Sequence, residues 1–370
     1  MKRYFFAFAT LALCLPLSSA DPSVSRSLFG SLPTGEEVEL LTLRNEAGMA
    51  VSFMEYGATM VSVRVPDSKG EHQEVTARLD TLEDYLAGHP LLGSTVGRFA
   101  NRIDCRDTGG LVIDGEVHPL ASVNRSGVHI HGGPNGFQKQ LWKGELVAGD
   151  STRFLLRHRS PDGHEGYPGN LDVTLAVSLS AENEISLAYE AKTDAPTHLA
   201  LTNHVYWNLG GIAAGAALGH ELELSASRVL EFDERKVPTG KFLPVAGTPL
   251  DFHSQSFAVG QRIADVPGAY DHAYAIDGFE PGKLSPCARL HDPRSGRTMI
   301  VTTTEPGVQL YSGNALGPKQ SHQGVLFSKY GGLCLETQHF PNSPNLPEFP
   351  STLLRPGETF HSQTVYRFEW

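Results

Sequence analysis

Positive charge is scarce in this 370-residue chain: 30 Lys and Arg stand against 41 Asp and Glu, a formal net charge of −11. Phosphate backbones are bound by clustered cations. The basic residues here fall in scattered pairs such as Arg157/Arg159 and Arg294/Arg297, which argues against a nucleic-acid partner. Cysteine is scarce too. The four present, Cys14, Cys105, Cys287 and Cys334, form no Cys-x-x-Cys, so a disulfide framework and a zinc site of that type are excluded. There is no Gly-x-Gly-x-x-Gly, no phosphate loop and no Gly-x-Ser-x-Gly nucleophile elbow. His164-Glu165 lacks the second histidine of a zincin helix. With 19% charged and 40% hydrophobic residues, the chain is neither disordered nor a multi-span membrane protein.

What is present begins with a leader-like segment. Met1-Lys2-Arg3 is basic, Tyr4 to Leu17 is apolar and uncharged, and Ser18-Ser19-Ala20 offers small residues where a signal peptidase cuts. The apolar run is too short to span a bilayer comfortably. The expectation is a signal peptide over 1–20, cleavage near Ala20 and an exported protein, periplasmic or secreted, with no membrane anchor. Loss of Lys2 and Arg3 would leave 28 basic against 41 acidic residues, a charge of −13. Residues 21–370 then read as a single domain. Of the three cysteines left there, Cys105, Cys287 and Cys334, one pair could bridge, leaving an odd thiol.

The mature part alternates with a period of two. Val173-Thr-Leu-Ala-Val-Ser-Leu179 and Ile185-Ser-Leu-Ala-Tyr189, separated by a short polar turn, predict a hairpin with one buried face. Glu221 to Ser227 alternates as well. Val61, Val63 and Val65 predict one apolar face, and Tyr366, Phe368 and Trp370 another. Helical signals are few; Thr81-Leu-Glu-Asp-Tyr-Leu86 predicts one short helix behind a Thr-x-x-Asp capping box. The 38 Gly and 24 Pro suit many turns between short strands. The fold class is all-β, a large antiparallel β-sandwich with very few short helices.

Candidate chemistry sits in short polar motifs. His129-Ile-His131 would put two imidazoles on one strand face, but the Gly132-Gly-Pro-Asn-Gly136 that follows supplies no further ligand, so no metal site is expected. Glu336 lies in Leu333-Cys-Leu-Glu-Thr-Gln-His-Phe-Pro341, where Leu333 and Leu335 share one face and Cys334 and Glu336 the other. A carboxylate there is costly to bury without partners. Taken alone it reads equally as half of an ion pair with Arg102 or as a catalytic base. Taken alone, His204 reads as a satisfied core histidine. Cys334 reads as an inert core residue.

Seven motifs change that balance. They are Gly97-Arg-Phe-Ala-Asn-Arg-Ile103, His129-Ile-His-Gly-Gly133 with Gly136-Phe-Gln-Lys139, Ser160 to Gly169, and Leu201-Thr-Asn-His-Val-Tyr-Trp-Asn-Leu209. Tyr270-Asp-His-Ala-Tyr274, Gly307-Val-Gln-Leu-Tyr-Ser-Gly-Asn314 and the Glu336 segment follow, with Arg355-Pro-Gly-Glu358 after them. In this order they resemble the aldose 1-epimerases, or galactose mutarotases, from about Gly35 to Arg367. The resemblance implies a galactose mutarotase-like supersandwich with an open cleft on one sheet. It implies cofactor-free interconversion of the α and β anomers of free aldohexoses such as glucose and galactose. By the same resemblance Glu336 is the general base, His204 the general acid and His131 the second active-site histidine. Asn101, Arg102, Asp271 and Gln309 bind the sugar, and Tyr206 lines the cleft. Gln138 departs from the family, where many relatives carry an acidic residue.

The chemistry fits these residue types. Opening a pyranose removes the C1 hydroxyl proton and delivers one to the ring oxygen O5; after rotation about C1–C2 the ring closes on the other face. One base and one acid suffice. A carboxylate can be the base and an imidazolium the acid. The expected partner is a small-molecule sugar, with no cofactor and no metal, and the chain is expected to act as a monomer or homodimer. A non-catalytic carbohydrate-binding protein, or an epimerase for a modified sugar, on the same fold stays open. Asp271 as a second carboxylate keeps glycoside hydrolysis as a minor reading.

Overall fold

The computed structural model describes residues 22–370. The leader-like segment 1–20 lies outside the described residues. Strands dominate as expected. Among the described residues the one α-helix is Leu82–Leu86, and no helix is long and apolar enough to cross a membrane. Its capping box is complete: the Thr81 side chain accepts from the Asp84 N–H while the Asp84 carboxylate accepts from the Thr81 N–H.

Nine strands form the largest sheet. Spatially they run Lys143–Leu146, Arg153–Ser160, Leu171–Leu179, Glu184–Thr193, Phe360–Glu369, Thr298–Thr303, Ser285–His291, Glu221–Leu224 and Phe257–Ala258. The predicted hairpin is near its centre, with Leu175 opposite Tyr189. Leu171, Val173, Leu175, Val177 and Leu179 are buried, and the residues between them are not. That alternation is what one solvated and one packed face requires. Each such Val or Leu contributes about 1.5–3 kcal/mol on burial.

A five-stranded sheet carries the polar motifs. Its order is Pro238–Pro244, Arg228–Phe232, Asp271–Ala275, Gly307–Tyr311 and Cys334–Gln338. Val308, Leu310, Leu333 and Leu335 join the cluster that holds the nine-stranded sheet's inner face. Thr337 and Thr364 exchange a hydrogen bond of 2.6 Å between the two sheets. Trp207 packs against Tyr366 and Phe368, with ring centres 5.1 and 5.7 Å away. Leu335 and Thr337 thus point into the sandwich, and Glu336 must point to the other side.

A second five-stranded sheet, Ser23–Ser31, Glu37–Arg44, Ala50–Met54, Thr59–Val65 and Gln73–Glu74, adds Leu41, Leu43, Val63 and Val65 to the same cluster. Here one expectation is refined. Val61 does not share the fate of Val63 and Val65; it packs with Met54, Leu82 and Tyr85 in a separate cluster. The pairing of Ala50–Met54 with Thr59–Val65 shifts register at Ser52/Phe53, and most of the strand is covered on both faces. Cys105, Cys287 and Cys334 are all free and buried.

Behind the Glu336 strand lies a buried pair the sequence leaves unmarked. His339 Nδ1 is 2.6 Å from Glu305 Oε2, and Glu305 is 1% exposed. Burial works against a charged His339, but Glu305 outweighs it and raises the imidazole above its ordinary value. A raised folded-state pKa stabilises the fold fully below the unfolded value near 6.5, and that contribution is lost as pH rises through the folded value. His339→Ala strands the carboxylate and should cost about 3–5 kcal/mol in urea unfolding at pH 6. A loss below about 1 kcal/mol would show the pair to be without consequence.

Candidate active site

The cleft floor is built by register. In the five-stranded sheet Ala273 stands opposite Gln309, and Gln309 opposite Glu336, so adjacent strands present Asp271, Gln309 and Glu336 to one side. Gln309 Nε2 donates to Asp271 Oδ1 at 2.7 Å. Arg102 is brought to the same place by the strand Arg102–Asp104, which pairs with Val128–Ile130. Its Nη2 is 3.6 Å from Asp271 Oδ2, and its Nη1 donates to Asn101 Oδ1 at 2.9 Å. The ion-pair partner of Arg102 is therefore Asp271, not Glu336.

His131 corrects a sequence expectation. It does not share a strand face with His129. The strand ends at Ile130, and His131 turns away with φ +52°, a left-handed conformation costly for a residue with a side chain. Gly132 makes the turn possible: a Cβ there would fall 1.8 Å from the Gly97 carbonyl oxygen. His129 instead packs in the core, its Nδ1 2.7 Å from the Ser122 carbonyl. The Asn101 N–H donates to His131 Nδ1 at 3.3 Å, which leaves Nε2 as the ring's proton-bearing atom.

His204 follows the short strand Thr202–Asn203, and its main chain bonds to Ser94 and Gly93 at 2.9 and 3.0 Å. Its ring lies 5.6 Å from that of His131 and stacks on Tyr206 at 5.1 Å and 26°. Nε2 is 3.6 Å from Glu336 Oε1. The cleft encloses about 230 Å³ and brings together every residue expected there: Asn101, Arg102, His131, His204, Tyr206, Asp271, Gln309 and Glu336. Pro90, Leu91, Tyr311 and Ala315 complete its wall; of these only Tyr311 falls in one of the sequence motifs. Lys236 carries no sequence signal either. It turns out of the segment between Arg228–Phe232 and Pro238–Pro244 with φ +60° and sets Nζ 2.6 Å from Asp271 Oδ2.

Burial governs the protonation states. Burial, helped by the charge of Asp271, pushes the Glu336 carboxyl up to about 8 against a smaller opposing pull from Arg102. Burial lowers His204 to about 4 and holds His131 well below its ordinary value. Burial alone would raise Asp271, but Arg102 and Lys236 outweigh it and keep this carboxylate below its usual range. Near neutrality the cleft therefore holds a protonated Glu336 beside an uncharged His204. Glu336 Oε2 and Gln309 Oε1 are buried without hydrogen-bond partners. Unpaired buried acceptors at a cleft floor are positions that hydroxyl donors of a ligand can fill.

His204, Cys334 and Glu336 offer ligand-type atoms within 4.8 Å of one another. The thiol approaches Nδ1 at 3.6 Å, while the carboxylate approaches Nε2 at 3.6 Å, so each ring nitrogen has its own neighbour. The arrangement is that of a proton-handling chain.

Known proteins place the same geometry in context. Residues 39–367 match the aldose 1-epimerase family model. The galactose mutarotase of Mus musculus is 38% identical over 349 residues, covering 94% of this chain and 98% of that one. The aldose 1-epimerase of Escherichia coli K12 is 38% identical over 346 residues, covering 91% and 96%. Among solved structures, galactose 1-epimerase from Lactobacillus acidophilus superposes with a TM-score of 0.80 at 29% identity, covering 94% of this chain and 99% of that one. With a match that reaches into all three large sheets and takes in every cleft residue, the chain belongs to the aldose 1-epimerase family.

Proposed function

We propose that this protein interconverts the α and β anomers of free aldohexoses such as glucose and galactose by ring opening and reclosure. The observation that carries the reading is Glu336 and His204 facing each other at 3.6 Å on the floor of a cleft otherwise lined by hydroxyl-binding groups. Glu336, once ionised, takes the C1 hydroxyl proton; Nε2 of His204 delivers a proton to O5. On closing, each group reverses its role. His131 donates from Nε2 to a sugar oxygen. Arg102, Asn101, Asp271 and Gln309 hold hydroxyls through charge-assisted and neutral hydrogen bonds.

Polarimetry of freshly dissolved α-glucose and α-galactose tests the activity. The protein should accelerate the approach to the equilibrium rotation of at least one, with or without a chelator. No acceleration for either sugar would overturn the proposal.

Arg102→Ala and Asp271→Ala should raise KM, since both groups bind the sugar in ground and transition state alike, with kcat falling only through lost positioning. Unchanged KM in both variants would remove them from the site.

The leader-like pattern supports export. Mass spectrometry of protein from its native host should find a chain beginning at Asp21; retention of residues 1–20 would refute it.

A further inference from the structure

His204 can exchange a proton with the cleft only if Nε2 is the nitrogen that changes state. Something must then keep Nδ1 protonated from behind. The groups around the ring are Glu336 on the Nε2 side, Asp271, His131 and His89 across the cleft, Tyr206 and Tyr311 as ring neighbours, and Cys334 on Nδ1.

Among the described residues Cys334 is the one side chain hydrogen-bonded to Nδ1, with Sγ at 3.6 Å. Beside it in the same buried cluster stands Tyr206, with its hydroxyl. That hydroxyl donates to the Pro90 carbonyl oxygen at 2.8 Å. A carbonyl only accepts, so the single proton of Tyr206 is committed to it. Tyr206 therefore has no proton to give the thiol, and sulfur is free to accept from Nδ1–H.

We propose that Cys334 is a positioning residue for the proton transfer: it holds the Nδ1–H tautomer of His204, so that Nε2 faces Glu336 and the sugar as the exchanging atom. This rests on the anomer interconversion proposed above. Two observations support it. Cys334 is fully buried, and burial pushes its thiol well above its ordinary value, so it stays an S–H. An Nε2 lone pair also suits the protonated carboxyl of Glu336 beside it, where an Nε2–H would not. The opposite orientation, thiol donating to Nδ1, would leave neutral His204 with no site to take back the O5 proton when the ring closes.

Nitrogen-15 NMR of histidine-labelled protein at pH 7 tests this directly, with the His204 signals assigned by their loss in His204→Asn. The expected result is a protonated Nδ1 and an unprotonated Nε2. A protonated Nε2 with a free Nδ1 overturns the proposal, without substrate and whether or not the chain proves to be a mutarotase. In Cys334→Ala the Nε2–H tautomer should appear and kcat should fall about 10–100-fold, the range found when a metal-bound histidine loses its outer hydrogen-bond partner, with KM unchanged. Cys334→Ser, able to accept and donate in the same places, should restore most of both. A Cys334→Ala protein that keeps the Nδ1–H tautomer and full kcat also overturns it. Should Cys334→Ala not fold, the unsubstituted protein's spectrum decides.

Discussion

Replacing Glu336 by Gln is expected to lower kcat about 10²- to 10⁴-fold, the span that one general acid or base contributes, or about 3–5 kcal/mol of barrier. Glutamine keeps the size and one acceptor but cannot take the C1 hydroxyl proton. Sugar binding should survive, because Arg102, Asp271 and Gln309 hold hydroxyls independently of it. The change also removes a group that burial disfavours as an ion, so stability should hold. His204→Asn should cost a similar factor by removing the proton delivered to O5. The double variant should lose little more than either single one, since a relay broken at one end gains nothing from the other. Retention of most of kcat by Glu336→Gln would make Glu336 a structural carboxyl. A folded, sugar-binding, inactive variant would exclude a mere binding module.

Much of this could be read before any coordinates. The Leu171–Leu179 and Glu184–Thr193 hairpin follows from strict alternation, because a strand half in water and half in a core tolerates no other pattern. The capping box at Thr81 follows from two side chains three residues apart. The cleft is different. Its residues run from Asn101 to Glu336, and no period links a loop residue such as His204 to a strand residue such as Gln309. Only the resemblance of ordered motifs brings them together; the register Ala273–Gln309–Glu336 is what the fold adds.

What the sequence hides is set by single backbone angles and by burial. His129-Ile-His131 looks like one strand face, but a left-handed His131 breaks the alternation and splits the pair between core and cleft. Lys236 reaches Asp271 because of one turn residue, which no hydrophobic pattern predicts. Cys334 looks inert for the right reason, its burial, yet the contact with His204 Nδ1 is what gives it consequence. Protonation is hidden most thoroughly. Side-chain types alone put a carboxylate on the acidic limb of the pH profile and an imidazole on the basic limb, and burial reverses that order.

The pH profile of kcat/KM should show the reversal. It reports the free enzyme, where Glu336 stands at about 8 and His204 at about 4. Below the lower value both groups carry protons and no base remains; above the upper value neither does and no acid remains. Between them the pair holds one proton. With that proton on Glu336 the pair is uncharged, and moving it to His204 creates the base and the acid that ring opening needs. Both forms rise and fall together with pH, so the plateau should run from about 4 to about 8 and drop about tenfold per pH unit beyond each edge. Ordinary side chains would instead place the edges near about 4.3 and 6.5, which makes the upper edge decisive. An upper limb near about 8 that disappears in Glu336→Gln fixes it to the carboxyl. An upper limb near about 6.5 that disappears in His204→Asn would mean the cleft is wetter than its burial implies and that the pair works in the order the side-chain types alone suggest.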